Sequence, residues 1–321
     1  MTAEDLTWFQ HLSTPEVAAL VRERGPRTVV FAMGGTKRWF MLNYLDGWPT
    51  DTSSYWQGYL THGGERLLKI MQMFFDHGVR TLFTHAIVPG QLEGQDEGYP
   101  PLALTTGMER IAGTPEFVRF YEERQVRVHF FGDYRQVLKD SPYASSLALF
   151  DELAERTKAN DQHLVYWGFN AQEDPMTPIL ELAAQYYRDH EHAPSRGQVI
   201  ELYYGEPVDP VDIFIGFNRP KTADLMPPLL ENRADLYFTV CPSLDLSLPQ
   251  FRNILYDHIF ARQGRHRDYG QLSAHAFSEL QAFYRLNQER VTGVGRRYEP
   301  GGVWHPLPQV QLPPGWDEEG E

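Results

Sequence analysis

Short apolar runs alternate with amphipathic segments along most of this chain. The runs are bounded by glycine, proline or polar residues, which is typical of buried strands, whereas apolar positions recur at helical spacing in the segments between them. The predicted strands cover residues 27–33, 79–88, 126–132, 163–169, 211–217 and 235–241, the last of which we expect at a sheet edge. The predicted helices cover residues 64–78, 114–125, 145–158, 176–190 and 247–262.

Strands that alternate with helices predict an α/β fold, in which a single domain holds a parallel sheet of about six strands flanked by helices. We divide the chain into an N-terminal helical segment (1–24), a main domain (25–297) and an extended C-terminal tail (298–321). Residues 89–102 form the clearest irregular insertion in the pattern.

The composition narrows the classes of partner. The chain has 321 residues, and 42% of them are hydrophobic, which is enough for a large core. A net charge of -14 argues against nucleic acid as a partner, because phosphate binding needs a basic face. Cys241 is the single cysteine, so no internal disulfide can form, and we expect its thiol to be buried. Because the sequence contains no signal-peptide or membrane-span pattern, we expect a cytoplasmic location.

The first predicted strand ends in a glycine turn that carries positive charge. In the sequence VVFAMGGTKRWF (29–40), Gly34 and Gly35 follow the apolar run, and Thr36, Lys37 and Arg38 come next. At the carboxyl end of a parallel strand, glycines let the backbone approach an anion, and two cations add hydrogen bonds suited to phosphate. The usual nucleotide-binding and metal-binding motifs are missing. The sequence therefore predicts an anion site of another kind.

Several blocks, read together, resemble the cis-prenyltransferase family over about residues 25–265. They are FAMGGTKRWF (31–40), HGGERLLKIMQMFFDHGVRTL (62–82), GDY (132–134), DPVDIFIGF (209–217) and ADLYFT (234–239). Family sequences show in the same order a strand ending in M-D-G-N-G-R-W, a long helix and strand, a G-D turn, D-x-D-L-x-I-R and E-L-Y-F-T. Longer aromatic-rich blocks resemble the tuberculosinyl transferase branch of this superfamily, at 24–40, 130–136, 203–219, 234–243, 252–260 and 290–295.

The resemblance implies a cis-prenyltransferase fold, a homodimer, and an allylic prenyl or terpenyl diphosphate bound over the turn at 34–38, with its hydrocarbon in an apolar tunnel. Chain-elongating relatives bind a second diphosphate through arginines and a serine, at positions that Gly216, Thr222 and Asp224 occupy here. We therefore expect a transferase or terpene synthase that does not elongate chains. A small nucleophilic acceptor, such as a nucleoside or water, captures the carbocation in that branch.

The resemblance also indicates site residues beyond the turn. Tyr59 stands where the branch has a tyrosine that faces the reacting carbon, and Tyr55 lies on the same helical face as a rival. For the acceptor site we predict Arg219, which is retained from that branch, together with Asn218, and we predict His85 as a base. His62 is a second candidate for the base.

Gly34 departs from the family pattern, because both groups of relatives have an aspartate at this position. That aspartate is credited with holding Mg²⁺ against the diphosphate or with assisting ionisation, so Mg²⁺ is the cofactor that the resemblance implies. Asp235, which stands where elongating relatives have a metal-binding glutamate, is one candidate to replace it as catalytic acid and metal ligand. Asp133, at a neighbouring strand end, is another. The alternative is a non-catalytic protein that binds a prenyl diphosphate.

Overall fold

A central sheet of six parallel strands organises the molecule, in the order β3-β4-β2-β1-β5-β6. The structure is a computed structural model, and it describes residues 5–46, 52–87, 101–169, 175–221, 226–231, 233–262, 269–298 and 303–313. The strands are Thr28–Phe31 (β1), Thr81–Ile87 (β2), Val126–Phe131 (β3), His163–Phe169 (β4), Ile213–Phe217 (β5) and Asp235–Thr239 (β6). The predicted α/β class is confirmed, and β6 lies at an edge as expected.

Helices cover both faces of the sheet. In the described part of the chain they are Leu6–His11 (α1), Thr14–Arg24 (α2), Thr36–Tyr44 (α3), Thr52–Asp76 (α4), Pro101–Gly113 (α5), Pro115–Glu123 (α6), Tyr134–Lys139 (α7), Ser146–Thr157 (α8), Met176–His190 (α9), Arg196–Tyr204 (α10), Leu248–Tyr256 (α11) and Ala274–Asn287 (α12). A π-helical turn, Asp257–Ala261, follows α11. A separate antiparallel hairpin joins Gly295–Tyr298 (β7) to Val303–Pro306 (β8).

The central strands β1, β2, β4 and β5 are mainly apolar and almost entirely buried, because helices pack on both sides of them. The larger core, which includes residues of α4, α6 and α8, contains Phe31 and Ile215, and the smaller core beneath α10 contains Val30 and Phe214. The N-terminal helices belong to the larger core, since Phe9 of α1 and Val17 and Val21 of α2 are fully buried there.

Five helices were not predicted from the sequence, namely α3, α5, α7, α10 and α12, and α4 begins twelve residues before the predicted helix at residue 64. Gly58, Gly63 and Gly64 interrupt the apolar spacing of α4, which hid its first half. Most of the predicted insertion at 89–102 lies outside the described residues, although α5 begins at Pro101.

Two further predictions concern Cys241, near an edge of the sheet, and the C-terminal tail. The prediction of a buried Cys241 is wrong, because β6 is an edge strand that ends at Thr239 and leaves this cysteine exposed. Strand β8 lies within the predicted extended tail, and the division of the chain at residues 24 and 297 stays a prediction. No helix among the described residues is long and apolar enough to cross a membrane.

Candidate functional site

The turn after β1 leads directly into the first turn of a helix. Gly35 is the N-cap of α3 with a φ of 69°, and no side chain caps this helix end. A left-handed backbone suits glycine, and an uncapped helix N-terminus leaves backbone N–H groups for an anion. Thr36, Lys37 and Arg38 form this first helical turn. The predicted glycine turn is therefore also a helix N-terminus.

A cavity of about 600 Å³ opens beside this turn, at the carboxyl ends of the central strands. Its walls come mainly from α4, α5 and the ends of β1 and β2. The predicted residues that line it are Gly34, Gly35, Thr36, Lys37, Arg38, Tyr59 and His85. The apolar part of the lining is formed by Met33, Met41, Leu60, Leu67, Ile87, Leu104, Met108, Ile111, Phe117, Trp167 and Leu244. One end is thus cationic and the remainder is suited to a hydrocarbon.

A third cation, Arg110 of α5, lines the cavity and was missed from the sequence. Its Nη2 donates to Thr61 Oγ1 over 3.3 Å, and its buried Nε has no hydrogen-bond partner among the described residues. A Cβ at Gly64 would lie 2.7 Å from Arg110 Cδ, so this glycine gives the arginine its place against α4. None of the described residues that line the cavity is an acid.

Tyr59 reaches the turn, whereas Tyr55 does not line the cavity. The Tyr59 hydroxyl lies 2.7 Å from Thr36 Oγ1, a hydrogen bond that joins α4 to the start of α3. Tyr55 is buried one helical turn earlier and packs edge-on against Phe40, with ring centroids 5.4 Å apart. The prediction of Tyr55 as a rival catalytic residue is therefore not supported by its position.

His85 is a buried polar group at the end of β2. Neither ring nitrogen has a hydrogen-bond partner in the described part of the chain. Burial lowers the pKa of His85 to about 4, so the imidazole is neutral at neutral pH. A neutral imidazole that faces a cavity can accept a proton. His62, the other predicted base, instead stacks on Tyr44 at a centroid distance of 4.2 Å and does not line the cavity.

Gly34 is held by two residues that the sequence did not reveal as neighbours. Ser243 Oγ accepts a hydrogen bond from the Gly34 N–H and donates one to the Gly34 carbonyl, each 2.9 Å long. A Cβ at Gly34 would lie 2.9 Å from Cδ1 of Phe217. The position of Ser243 just after β6 could have indicated its place, because β6 ends at the same edge of the sheet as β1.

Arg66 of α4 fixes the segment that carries Ser243. Its Nε donates to the Leu244 carbonyl over 2.7 Å, and its Nη2 donates to the Leu246 carbonyl over 2.9 Å. Leu244 itself lines the cavity. The Gly34 turn, the segment after β6 and α4 are therefore joined by hydrogen bonds into one wall.

The two acids proposed to replace an aspartate at position 34 lie elsewhere. Asp235 is the first residue of β6, at the amino end of the strands, where its carboxylate lies 2.7 Å from His258 Nδ1 and 3.3 Å from Arg262 Nη1. The cavity lies at the carboxyl ends of the strands, so the prediction of Asp235 as catalytic acid and metal ligand is corrected. Asp133 is the N-cap of α7, after edge strand β3, and does not line the cavity. Burial, with a contribution from Glu181, raises the pKa of its carboxyl.

Asn218 and Arg219 follow the carboxyl end of β5, at the correct edge of the sheet, but neither lines the cavity. Asn218 has a φ of 64°, and its N–H donates to the Thr239 carbonyl over 2.8 Å, which turns the chain away after Phe217. Arg219 is exposed. A direct role for either residue in holding the acceptor stays a prediction.

The described residues of the cavity do not fit a protein-held Mg²⁺. This ion prefers oxygen ligands and is usually bound through one or two carboxylates. The described lining contains no carboxylate, and no group of three or more His, Cys, Asp or Glu that could hold a metal occurs among the described residues. We therefore derive no chemical step through a metal.

Two curated proteins are similar to this chain over nearly its whole length. It is 34% identical over 298 residues to tuberculosinyl adenosine transferase from Mycobacterium tuberculosis, covering 92% of this chain and 96% of that protein. It is 28% identical over 289 residues to (+)-kolavelool synthase from Herpetosiphon aurantiacus, covering 89% and 91%. No protein-family model matches the chain.

Solved structures support the fold. A lavandulyl diphosphate synthase from Lavandula x intermedia, in complex with dimethylallyl diphosphate, superimposes with a TM-score of 0.59 at 13% identity, covering 78% of this chain and 100% of that one. A probable undecaprenyl diphosphate synthase from Campylobacter jejuni superimposes with a TM-score of 0.51 at 15% identity, covering 76% and 98%. At these identities the likeness shows the fold alone.

Proposed function

We propose, for a chain that belongs to the family of tuberculosinyl adenosine transferase, that it ionises an allylic diterpenoid diphosphate and transfers the terpenyl group to a small acceptor. The observation that carries this proposal is the cavity itself. One end presents a helix N-terminus with Lys37 and Arg38, and the remaining wall is apolar. Its volume of about 600 Å³ lies within the range of roughly 300–1,000 Å³ for sites of small molecules.

The diphosphate binds at the start of α3. Thr36, Lys37 and Arg38 form the first turn of this helix, where the helix dipole favours an anion. The side chains of Lys37 and Arg38 add positive charge, and Arg110 adds a third cation from α5. An unpartnered guanidinium Nε in an otherwise apolar wall favours a ligand oxygen there.

Ionisation breaks the bond between the allylic carbon and the diphosphate oxygen, and the electron pair leaves with the diphosphate. The negative charge that develops on the leaving group is stabilised by the same cations and helix dipole. The carbocation remains among apolar and aromatic side chains, which exclude water and offer π faces to the cation. Tyr59 and Trp167 are aromatic members of this lining.

Capture of the carbocation forms a bond from the acceptor nitrogen or oxygen to carbon and releases one proton. We assign His85 as the base that takes this proton, because its neutral imidazole lines the cavity. The acceptor is a nucleoside or water. A nucleoside acceptor is supported by the name of the Mycobacterium relative, and water by the name of the alcohol-forming (+)-kolavelool synthase.

Chain elongation and a purely binding role are both disfavoured. An added Cβ at Gly216 would lie 2.8 Å from ring atoms of Phe214 and Phe238, so an arginine of the second diphosphate site does not fit there. Phe217 packs against Gly34, and Ser243 is hydrogen-bonded to it. The turn is therefore ordered without an aspartate, as expected of a site that functions with glycine at this position. Both curated relatives carry the names of enzymes.

The test is pyrophosphate release from farnesyl, geranylgeranyl and bicyclic diterpenyl diphosphates, with and without adenosine, with products identified by mass spectrometry. We expect release from a diterpenyl diphosphate, and a terpenyl adenosine or a terpene alcohol as the product. Lys37→Met should lower kcat/KM at least tenfold, because it removes a cation from the leaving group.

The control is Lys158→Met, which removes an exposed lysine directly after α8 that pairs with Glu155 outside the cavity. It should match the wild type. If the folded wild type releases no pyrophosphate from any of these substrates and yet binds them, the non-catalytic alternative is correct instead.

A further inference from the structure

The ring of Phe217 lies against both glycines of the turn. A Cβ at Gly34 would be 2.9 Å from Phe217 Cδ1, and a Cβ at Gly35 would be 2.7 Å from Phe217 Cε1. Contacts under about 3.0 Å are not tolerated by carbon atoms, so a side chain at either position would have to displace the ring. The ring therefore occupies the space that a carboxylate at position 34 would need.

The backbone on either side of Phe217 fixes where its ring points. Phe217 ends β5 and shares a sheet face with Ile213 and Ile215, which belong to the larger core. The chain turns immediately afterwards at Asn218, whose N–H is bonded to the Thr239 carbonyl of the neighbouring strand. The ring is thus directed to the face where the Gly34 turn and α3 begin.

The same ring also carries a cation of the site. The guanidinium carbon of Arg38 lies 5.8 Å from the Phe217 ring centroid, within the distance at which a cation is attracted to an aromatic face. Arg38 is otherwise exposed, so few other contacts restrict its side chain. Ser243 holds the opposite side of Gly34 through its two hydrogen bonds.

We propose that Phe217 is a positioning residue of the diphosphate site. It fills the volume of the missing acid side chain, holds the Gly34–Gly35 turn, and orients Arg38 toward the leaving group. This inference rests on the proposed function, because it concerns the same diphosphate. It also means that glycine at position 34 and phenylalanine at position 217 form one matched pair.

A double-mutant cycle on pyrophosphate affinity tests the role of Phe217 toward Arg38. Calorimetry would compare wild type, Phe217→Leu, Arg38→Met and the double variant. Loss of a cation–π contact predicts that Phe217→Leu weakens pyrophosphate binding about fivefold in the wild type. In the Arg38→Met background, the same change should have a clearly smaller effect, because only the support of the Gly34–Gly35 turn is then lost, whereas a merely structural role would give the same loss in both backgrounds.

Phe238→Leu is the matched control, because the Phe238 ring of β6 packs on Gly216 of β5, the residue before Phe217, and not on the Gly34–Gly35 turn. It should lower stability without altering pyrophosphate affinity. If Phe217→Leu does not fold, Phe217→Met gives the same comparison. Unchanged affinity in the folded Phe217 variant overturns this inference and leaves the proposed function intact, whereas a wild type that binds neither pyrophosphate nor a prenyl diphosphate overturns both.

The matched pair gives an independent test through stability. Gly34→Asp alone should lower the melting temperature, because the new side chain meets the Phe217 ring. In the Phe217→Ala background, the same Gly34→Asp change should lower the melting temperature less, because the ring that it would meet is removed. A Gly34→Asp variant as stable as the wild type, with unchanged pyrophosphate affinity, would show that the ring does not occupy this space.

Discussion

The single most unusual residue of the cavity is His85, a fully buried imidazole without a hydrogen-bond partner among the described residues. An unpartnered buried polar group is unfavourable, so a group of this kind indicates a site that a ligand completes. Its lowered pKa keeps it neutral at neutral pH, because burial disfavours the protonated imidazole. The same shift links this one side chain to the stability of the whole protein.

Stability should fall with acid because of His85. Its pKa is lowered from 6.5 in the unfolded chain to about 4 in the folded one, so between these values the unfolded state binds the additional proton. Unfolding free energy therefore rises with pH across this window. At pH 5 we expect His85 to contribute a loss of about 2 kcal/mol relative to pH 7. Urea denaturation at the two pH values measures it.

The comparison is the variant His85→Asn, which should lose less stability than the wild type between pH 7 and pH 5. It will not be insensitive to pH, because burial also lowers the pKa values of His77 and His163. An identical pH dependence in the two proteins would contradict the burial of His85 as a neutral group.

Tyr59 can be tested by substitution, with Tyr55 as its control. Tyr59→Phe removes the hydrogen bond to Thr36 at the start of α3, and a bond of this kind is worth about 1 kcal/mol. We therefore expect kcat/KM to fall about fivefold. Tyr55→Phe should leave it unchanged, because Tyr55 does not line the cavity. Steady-state kinetics on both variants checks this, and equal effects would refute the assignment.

At the scale of elements, the long helix α4 is shaped by its glycines. A Cβ at Gly58 would lie 2.9 Å from Phe40, and one at Gly64 would meet Arg110, so these two glycines allow neighbours to approach. Gly63 differs, because it lines the cavity and an added Cβ would meet nothing within 4 Å. Glycine inside a helix is otherwise unfavourable by roughly 1 kcal/mol relative to alanine. The open space at Gly63 is thus part of the cavity.

Filling that space should affect the hydrocarbon and not the diphosphate. We expect Gly63→Leu to raise KM for a diterpenyl diphosphate about tenfold or more, while the affinity for inorganic pyrophosphate stays within twofold. Gly197→Leu is the control, since Gly197 of α10 also has nothing within 4 Å of an added Cβ but lies outside the cavity. Kinetics and calorimetry separate the two effects. If Gly63→Leu weakens binding of the diterpenyl diphosphate and of pyrophosphate equally, Gly63 does not line the hydrocarbon part of the cavity.

At the scale of the whole molecule, α12 is a 14-residue helix with no buried residue in the described structure. It exposes Phe277 and Tyr284, with 51% and 60% of their surface accessible. Helices of this length are marginal in water without packing of an apolar face. We propose that a second copy of the chain covers this face, which agrees with the homodimer implied by the resemblance.

Sedimentation of the purified protein tests this proposal. We expect a species of twice the chain mass of 37.1 kDa, and we expect Phe277→Asp with Tyr284→Lys to shift it toward one chain. Tyr187→Asp, which changes a similarly exposed aromatic residue on α9, should leave the mass unchanged. A wild type that sediments as a single chain at micromolar concentration would contradict the dimer.

The sequence by itself determined the elements whose signal is local. The apolar runs of β1, β2, β4 and β5 stand out because central parallel strands are buried on both faces. The Gly34–Arg38 turn is visible because glycines and cations directly follow the first of those runs. Helices such as α5 and α12 escaped prediction because their apolar residues serve a cavity or an exposed face rather than a regular core stripe.

Only the tertiary structure decided which residues meet at the turn. Ser243 and Phe217 are about two hundred positions from Gly34 in sequence, and strand order brings them together because β1, β5 and β6 end at one edge of the sheet. The same strand order excludes Asp235 from the site, because this residue begins β6 and therefore lies at the opposite edge of the sheet. Sequence pattern fixes where a strand runs, whereas side-chain neighbours depend on the packing of distant segments.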